Sequence, residues 1–239
     1  MIPRKIHYCW FGKNEKPKLA LKCIESWQKY CKDFEIIEWN ESNFDVNMNA
    51  YTRYCYENKK WAYLSDFARL YVVANEGGIY FDTDVELVKP IPKLLHYEAF
   101  YGFETEKYVA TGLGFGAEKN HPTVLAMLNE YEKLMKEPPE TFASVTCPIH
   151  NTEALKQFGF IGNGERQTTG GAEIFPVEYF NPYDDPTGRL NKTKNTISIH
   201  WYSKSWMSKK KILRSKLTKP FHRLFGNDCF AFLKRLLKK

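Results

Sequence analysis

WAYLSDFARLYVVANEGGIYFDTDVE, residues 61–86, decides how the chain is read, because a helical period and a strand period follow each other within it. Leu64, Phe67, Ala68, Tyr71 and Val72 recur at the helical spacing and define a broad apolar side. Ser65, Asp66 and Arg69 fall within about 100° of one another on the helical wheel, beside that side. Gly77 and Gly78 then stop the helix, since glycine tolerates the positive φ that closes it. Residues 79–87 read as a strand, with Ile79, Phe81, Val85 and Leu87 facing one way and Tyr80, Asp82, Asp84 and Glu86 the other. Ser, Asp and Arg from a helix, followed by two aspartates from a strand, suit a cation together with a phosphate-bearing ligand.

Upstream, the pattern predicts a strand over 4–11, a helix over 18–30 with Pro17 at its start, and a strand over 34–39. Strand, helix and strand in this order open an α/β fold with parallel strands. A shorter helix is predicted over 49–58. Downstream, strands are expected over 99–103, 173–177 and 196–201, and helices over 122–134 and 153–158. Residues 111–117 (TGLGFGA) read as extended, with glycines that imply close approach of backbone or ligand. This is not a phosphate loop, because no GKS or GKT follows it. Asp184 and Asp185 form another acidic pair, in a stretch that reads as turn chemistry.

At 239 residues the chain can bury a full core, and 43% hydrophobic and 16% aromatic residues imply a folded protein. Charge divides it in two. Residues 207–239 carry eleven lysines and arginines against Asp228 alone, a balance of +10. The total of +7 therefore leaves −3 for residues 1–206. Nucleic-acid binding by so acidic a body has little electrostatic support. The division predicts a catalytic-type domain over 1–206 and a basic amphipathic helical tail over 207–239, in two short helices broken near Pro220 and again near Gly226. Such a tail suits an anionic membrane surface, or else caps the body with its lysines in water. Six scattered cysteines without a CxxC pair read as reduced thiols. No signal-like or membrane-spanning apolar run is present, so a cytoplasmic protein, peripheral on the inner face of the cell membrane, is expected.

The order Ser65-Asp66, Arg69, Gly77-Gly78, Phe81-Asp82-Thr83-Asp84 resembles the signature of the DXD-containing glycosyltransferases. These are related to yeast initiating α-mannosyltransferases, to bacterial capsular and lipopolysaccharide sugar transferases and, more distantly, to large clostridial glucosylating toxins. IPRKIHYCWFG at the start resembles the family's opening strand, and HWYSKSW its closing motif. The resemblance implies a GT-A-like mixed sheet flanked by helices, and transfer of a sugar from a nucleotide diphosphate donor with retention. It implies a divalent cation, Mn²⁺ over Mg²⁺, a UDP-sugar over a GDP-sugar, and a glycan or lipid-linked acceptor. By the same resemblance Trp10, Ser65, Asp66, Arg69, Asp82 and Trp206 face the donor. Asp84 and Asp82 hold the metal, with His200 or Ser205 as candidates for its third protein ligand. Asp82, Asp84 and Arg69 are the expected catalytic set.

Each residue also has a plainer reading. Asp66 and Arg69, three apart on a helix, suit a structural ion pair. Trp10 suits a core position and His200 a packed strand position. Two other functions compete: a metal-dependent nucleotidyl- or phosphoryl-transfer enzyme, and a noncatalytic polysaccharide-binding protein using its 15 tyrosines and 6 tryptophans as sugar platforms. The first would need a second set of metal or nucleotide ligands. The second would leave the Ser65, Asp66, Arg69, Asp82 and Asp84 constellation unused.

Overall fold

The helix at the centre of that stretch runs Trp61–Glu76 and is buried along most of its circumference, from Leu64 to Ala74. Gly77 ends it at φ +65°, and its N–H caps the carbonyl of Val73. Gly78 follows at φ +113°, where a Cβ would lie 2.8 Å from Nε2 of His7. The glycine pair therefore serves both the turn and the approach of the first strand.

The computed structural model describes residues 1–204, 207, 209–226 and 229–230. In chain order the elements are β1 (Lys5–Cys9), α1 (Lys18–Tyr30), β2 (Glu35–Trp39), α2 (Ala50–Glu57), α3 (Trp61–Glu76), β3 (Gly78–Tyr80) and β4 (Val85–Leu87). They continue with β5 (Ala99–Gly102), β6 (Phe115–Ala117), α4 (Pro122–Leu134), α5 (Cys147–Lys156), β7 (Gln167–Thr169) and β8 (Ala172–Phe175). The last are α6 (Val177–Phe180), β9 (Tyr183–Asp184), β10 (Arg189–Leu190), β11 (Ser198–His200) and α7 (Lys209–Phe225).

Seven strands form one mixed sheet in the order β2-β1-β3-β6-β5-β8-β7. β1 is parallel to both β2 and β3, as the opening pattern implies, whereas β6 is antiparallel to its neighbours. One face packs on α1, through Cys23 and Trp27. The other packs on α2 to α5, with Tyr51, Leu64, Met127 and Leu155 among the buried side chains. Chain entry on opposite faces of adjacent parallel strands leaves a crevice beyond their C-terminal ends. Trp10 and Asp82 emerge there.

The expected single strand over 79–87 is two strands, and the aspartates lie on the turn between them. β3 joins the large sheet, while β4 pairs with β11 in a separate ladder. The alternation persists across the turn, because Ile79, Phe81, Val85 and Leu87 all enter the core on the α1 side. Trp27 stacks on Phe81 and donates from Nε1 to the Val85 carbonyl at 2.8 Å. Each such buried side chain contributes about 1.5–3 kcal/mol, enough to clamp both ends of a turn that carries two carboxylates.

Three other expectations shift. Residues 111–117 divide into a 3₁₀ turn, Thr111–Leu113, followed by β6. The helix expected over 153–158 starts earlier, at Cys147, with Pro148 in its first turn. The tail, expected as two helices separated near Pro220, forms one helix through that proline to Phe225. Proline forfeits one backbone bond there, and contacts to the β9–β10 hairpin compensate. Lys219 Nζ reaches Asp185 at 3.1 Å and the Tyr183 hydroxyl at 2.7 Å, while Arg189 donates to the Arg223 carbonyl. Any second helix after Gly226 lies outside the described residues.

Candidate metal and donor site

The turn at Asp82 to Asp84 meets β11 through a register that pairs His200 with Val85. This brings together one ligand atom each from Asp82, Asp84 and His200, all within 4.8 Å of one another. Two carboxylates and an imidazole so placed fit a divalent cation that accepts oxygen and nitrogen donors. Ser205, the other candidate ligand, and Trp206 lie outside the described residues.

Asp84 is 8% exposed and fully engaged. Its Oδ1 lies 3.1 Å from Nε2 of His200, and its Oδ2 accepts from the Ser203 backbone N–H at 2.7 Å. Burial pushes its carboxyl pKa up, but the charge and hydrogen bond of His200, with the Ser203 contacts, outweigh this and hold it well below the carboxylate range. Burial favours neutral His200, yet Asp84, Asp82 and Glu104 together hold its pKa above the ordinary value. The protonated imidazole is thereby favoured beside Asp84, and a cation held through that nitrogen would compete with the proton. Tyr202 and Lys204, on either side of Ser203, both have positive φ, +50° and +54°. Strain at two non-glycine residues is the local cost of aiming Ser203 N–H at Asp84.

Arg69, 3% exposed, is the hub of the neighbouring carboxylates. Its Nη2 lies 2.7 Å from Asp66 Oδ1 and 3.2 Å from Asp82 Oδ1, its Nε donates to the Ser65 carbonyl, and its guanidinium lies over the Tyr80 ring. The ion pair with Asp66 therefore exists, but it is part of a triad with Asp82. Burial pushes the Asp66 carboxyl up, to about 7, against the pull of an Arg69 charge that is shared with Asp82. For Asp82 too, burial raises the pKa against the pull of Arg69.

The folded chain holds the Asp66 proton more tightly than the unfolded chain does. This contribution favours folding in acid and is lost as pH rises through about 7. Asp66→Asn should therefore become more stable relative to the parent between about pH 5 and pH 8 in urea titrations. An unchanged difference across that range would show that Asp66 is ionised throughout.

Gly112 sits against this triad. A Cβ there would lie 2.4 Å from Asp82 Oδ2 and 2.8 Å from Arg69 Nη1. The close approach expected in TGLGFGA is thus an approach to the acidic turn. Gly112→Ala should displace the Asp82 carboxylate and weaken Mn²⁺ binding by about tenfold or more, measured by calorimetry, with secondary structure retained.

Trp10, Ser65, Asp66, Arg69, Asp82, Asp84 and His200 all line one cavity of about 790 Å³, a size common for small-molecule sites. Trp10 is part-buried, its Nε1 donating to the Asn14 carbonyl and its ring beneath Lys16. Three further residues line it: Tyr202, which falls inside the HWYSKSW motif, and Glu104 and Cys147, which carry no sequence signal of function. Glu104 lies past the end of β5, and Cys147 opens α5 beside Thr111 and Asn151. Of the acidic pair read as turn chemistry, Asp184 serves the turn, its carbonyl accepting from Gly188 N–H. Asp185 instead lines the cavity and binds Lys204 at 2.6 Å and Lys219 at 3.1 Å. All six cysteines are free; the five up to Cys147 are buried, and burial pushes their thiols up to about 12.

Residues 17–101 match the family model for a glycosyltransferase sugar-binding region containing a DXD motif. Two relatives come from Schizosaccharomyces pombe (strain 972 / ATCC 24843). Inositol phosphoceramide mannosyltransferase 3 is 25% identical over 135 residues, covering 53% of this chain and 36% of that protein. Inositol phosphoceramide mannosyltransferase 1 is 26% identical over 143 residues, covering 55% of this chain and 43% of that protein. The chain thus spans less than half the length of either. Among solved structures, the PaToxG glycosyltransferase is similar with a TM-score of 0.55 and 21% identity, over 65% of this chain and 69% of that one. That likeness concerns the fold, a mixed α/β GT-A-like sheet flanked by helices. The matched residues 17–101 include Ser65, Asp66, Arg69, Asp82 and Asp84, so the similarity to glycosyltransferase sugar-binding regions containing a DXD motif extends over the acidic turn and the helix that faces it.

Proposed function

We propose that the protein transfers a hexose, with retention at the anomeric carbon, from a UDP- or GDP-sugar to a hydroxyl of a surface glycan or lipid-linked acceptor. The observation that carries this reading is the convergence of Asp82, Asp84 and His200 on one wall of a cavity that also holds Trp10, Ser65, Asp66 and Arg69. A hexose is consistent with two relatives named as mannosyltransferases. Asp84, Asp82 and His200 would hold the cation, with Mn²⁺ favoured over Mg²⁺ because the set includes an imidazole nitrogen. Such a cation supplies neutralisation of the diphosphate as the bond to the sugar breaks.

The chain's own residues do the rest. Asp84 stays ionised because Ser203 N–H and His200 both satisfy it. Arg69 fixes the Asp82 and Asp66 carboxylates, which face the donor's sugar and ribose in this reading. Trp10 offers a flat surface for the base, Ser65 a hydroxyl, and Trp206 completes the proposed donor set. The acceptor hydroxyl attacks on the face the diphosphate leaves, and the departing phosphate oxygen takes its proton. Native mass spectrometry with a panel of UDP- and GDP-sugars and Mn²⁺ tests the reading. A donor that binds only with metal is expected; no binding, or binding indifferent to EDTA, would overturn it.

We propose also that α7 holds the enzyme on an anionic membrane surface at the inner face of the cell membrane. The helix docks through Ser215, which meets Lys204, and Lys219, which meets Tyr183 and Asp185, and turns Leu213, Leu217, Phe221 and Leu224 outward. Lys210, Arg214, Lys216 and Arg223 flank that apolar stripe and are exposed. Docking of the helix and an outward apolar face are thus compatible, because different sides serve each. Among the described residues no helix is long and apolar enough to cross a membrane. Near an anionic leaflet each basic residue contributes on the order of 1 kcal/mol, reinforced by apolar burial in the headgroup boundary. The protein should sediment with phosphatidylglycerol vesicles, less so at high salt, and changing all four stripe residues to serine should leave it in the supernatant with unaltered melting. Absence of the parent protein from such pellets would sink the membrane role.

A further inference from the structure

A second cavity, of about 560 Å³, adjoins the first and shares Glu104, Asp185 and Tyr202 with it. Its outer wall is the β9–β10 hairpin, with Tyr183, Pro186 and Asn191. Asn181, 7% exposed, also lines it. The Asn181 amide nitrogen donates to the Glu104 carbonyl at 2.9 Å and lies 2.7 Å from the Tyr202 hydroxyl. A backbone carbonyl accepts only, so this contact fixes the amide's orientation. Its Oδ1 is then left without a partner, although it is buried. Asn181 thus ties the Glu104 backbone to Tyr202 at the junction of the two cavities.

The chemistry of the lining narrows that ligand. Among the described residues no lysine, arginine or histidine lines this cavity, and Lys204 and Lys219 at its edge are spent on Asp185. Phosphate or carboxylate groups would meet the carboxylates of Glu104, Glu178 and Asp184, while the two nearby lysines are already engaged by Asp185. Hydroxyl groups meet acceptors on every side, and Tyr183, Tyr202 and Pro186 offer apolar surface for the carbon faces of a sugar ring.

We propose that this second cavity is the acceptor subsite, that it takes the terminal sugar of a neutral, hydroxyl-rich glycan, and that Glu104 at the junction orients the attacking hydroxyl toward the donor cavity. The proposal rests on the glycosyl-transfer reading of the first cavity. In the step it serves, the bond from anomeric carbon to phosphate oxygen breaks with its electron pair on the diphosphate. A bond from acceptor oxygen to anomeric carbon forms, and the hydroxyl proton passes to the departing phosphate oxygen. Glu104 accepts a hydrogen bond from that hydroxyl beforehand and is a positioning residue.

Saturation-transfer NMR on the full chain with Mn²⁺ and UDP or GDP, against methyl glycosides of glucose, galactose, mannose, N-acetylglucosamine and glucosamine, tests it. At least one neutral glycoside should receive saturation. Asn191→Trp and Pro186→Trp, both at exposed positions, should fill the cavity and weaken that binding by about tenfold or more, while nucleotide binding changes by less than about twofold. Glu104→Gln should raise the ratio of donor hydrolysis to transfer without weakening nucleotide binding. Undiminished sugar binding in both tryptophan variants would overturn the proposal, as would nucleotide binding with no neutral glycoside bound. Preference for the glucosamine glycoside would overturn its neutral character. If neither UDP nor GDP binds the parent protein, the donor reading fails and the acceptor subsite falls with it.

Discussion

Asp84→Asn is expected to lower sugar transfer by at least about a hundredfold, the scale seen when a preorganised electrostatic element is removed from a transition state. The amide keeps the shape of the carboxylate, and its oxygen can still accept from Ser203 N–H, so the 202–204 turn has reason to persist. What is lost is the negative charge that His200 faces at 3.1 Å and that a cation would share with Asp82. Mn²⁺ affinity measured by calorimetry should fall in parallel, and EDTA should bring the parent protein to the level of the variant. Thermal melting separates this from unfolding. An Asp84→Asn protein with full transfer, or a parent protein fully active in EDTA, would remove the metal from the proposed function.

Arg69→Met should cost about 3–5 kcal/mol of stability, because it leaves buried carboxylates without their charge partner. The guanidinium serves Asp66 and Asp82 from one nitrogen and the Ser65 carbonyl from another. Methionine fills much of the volume and none of the charge. Arg69→Lys should fall between, since an ammonium keeps the charge but not the fork that reaches two carboxylates and a carbonyl together. Urea midpoints measure the stability loss, and binding of UDP or GDP with Mn²⁺ measures the effect on the cavity. In this geometry Arg69 acts chiefly by holding Asp66 and Asp82. Nucleotide affinity in Arg69→Lys should therefore fall together with Mn²⁺ affinity. A fall in nucleotide affinity alone would show instead that the guanidinium touches the diphosphate itself.

Local pattern was enough for much of the framework. The 3.6-residue spacing in residues 18–30 and 122–134 returns as α1 and α4, and the apolar positions flanking the acidic turn all enter one core face. These signals are legible because each reports a local preference combined with one-sided burial. Boundaries moved where a tertiary contact overrode the local period. The strand predicted through Asp82 breaks because β3 and β4 pair with different partners, β6 on one side and β11 on the other. The tail helix survives Pro220 because Asp185, Tyr183 and Arg189 hold it from outside.

For the site, sequence by itself determined the chemistry on offer: an Asp-x-Asp pair, a helix presenting Ser65, Asp66 and Arg69, and a basic tail with its leucines at helical spacing. Those are properties of neighbours along the chain. Only the tertiary structure decided that His200, more than a hundred residues away, stands beside Asp84, that Gly112 must lack a side chain to admit Asp82, and that Arg69 is shared by two carboxylates. It also decided that Glu104, Asn181 and Tyr202 meet at the junction of two cavities. The physical reason is that these relations depend on the register of β4 with β11, on strained turns at Tyr202 and Lys204, and on the packing of a hairpin against a helix. No periodicity encodes a distance between residues so far apart in the chain.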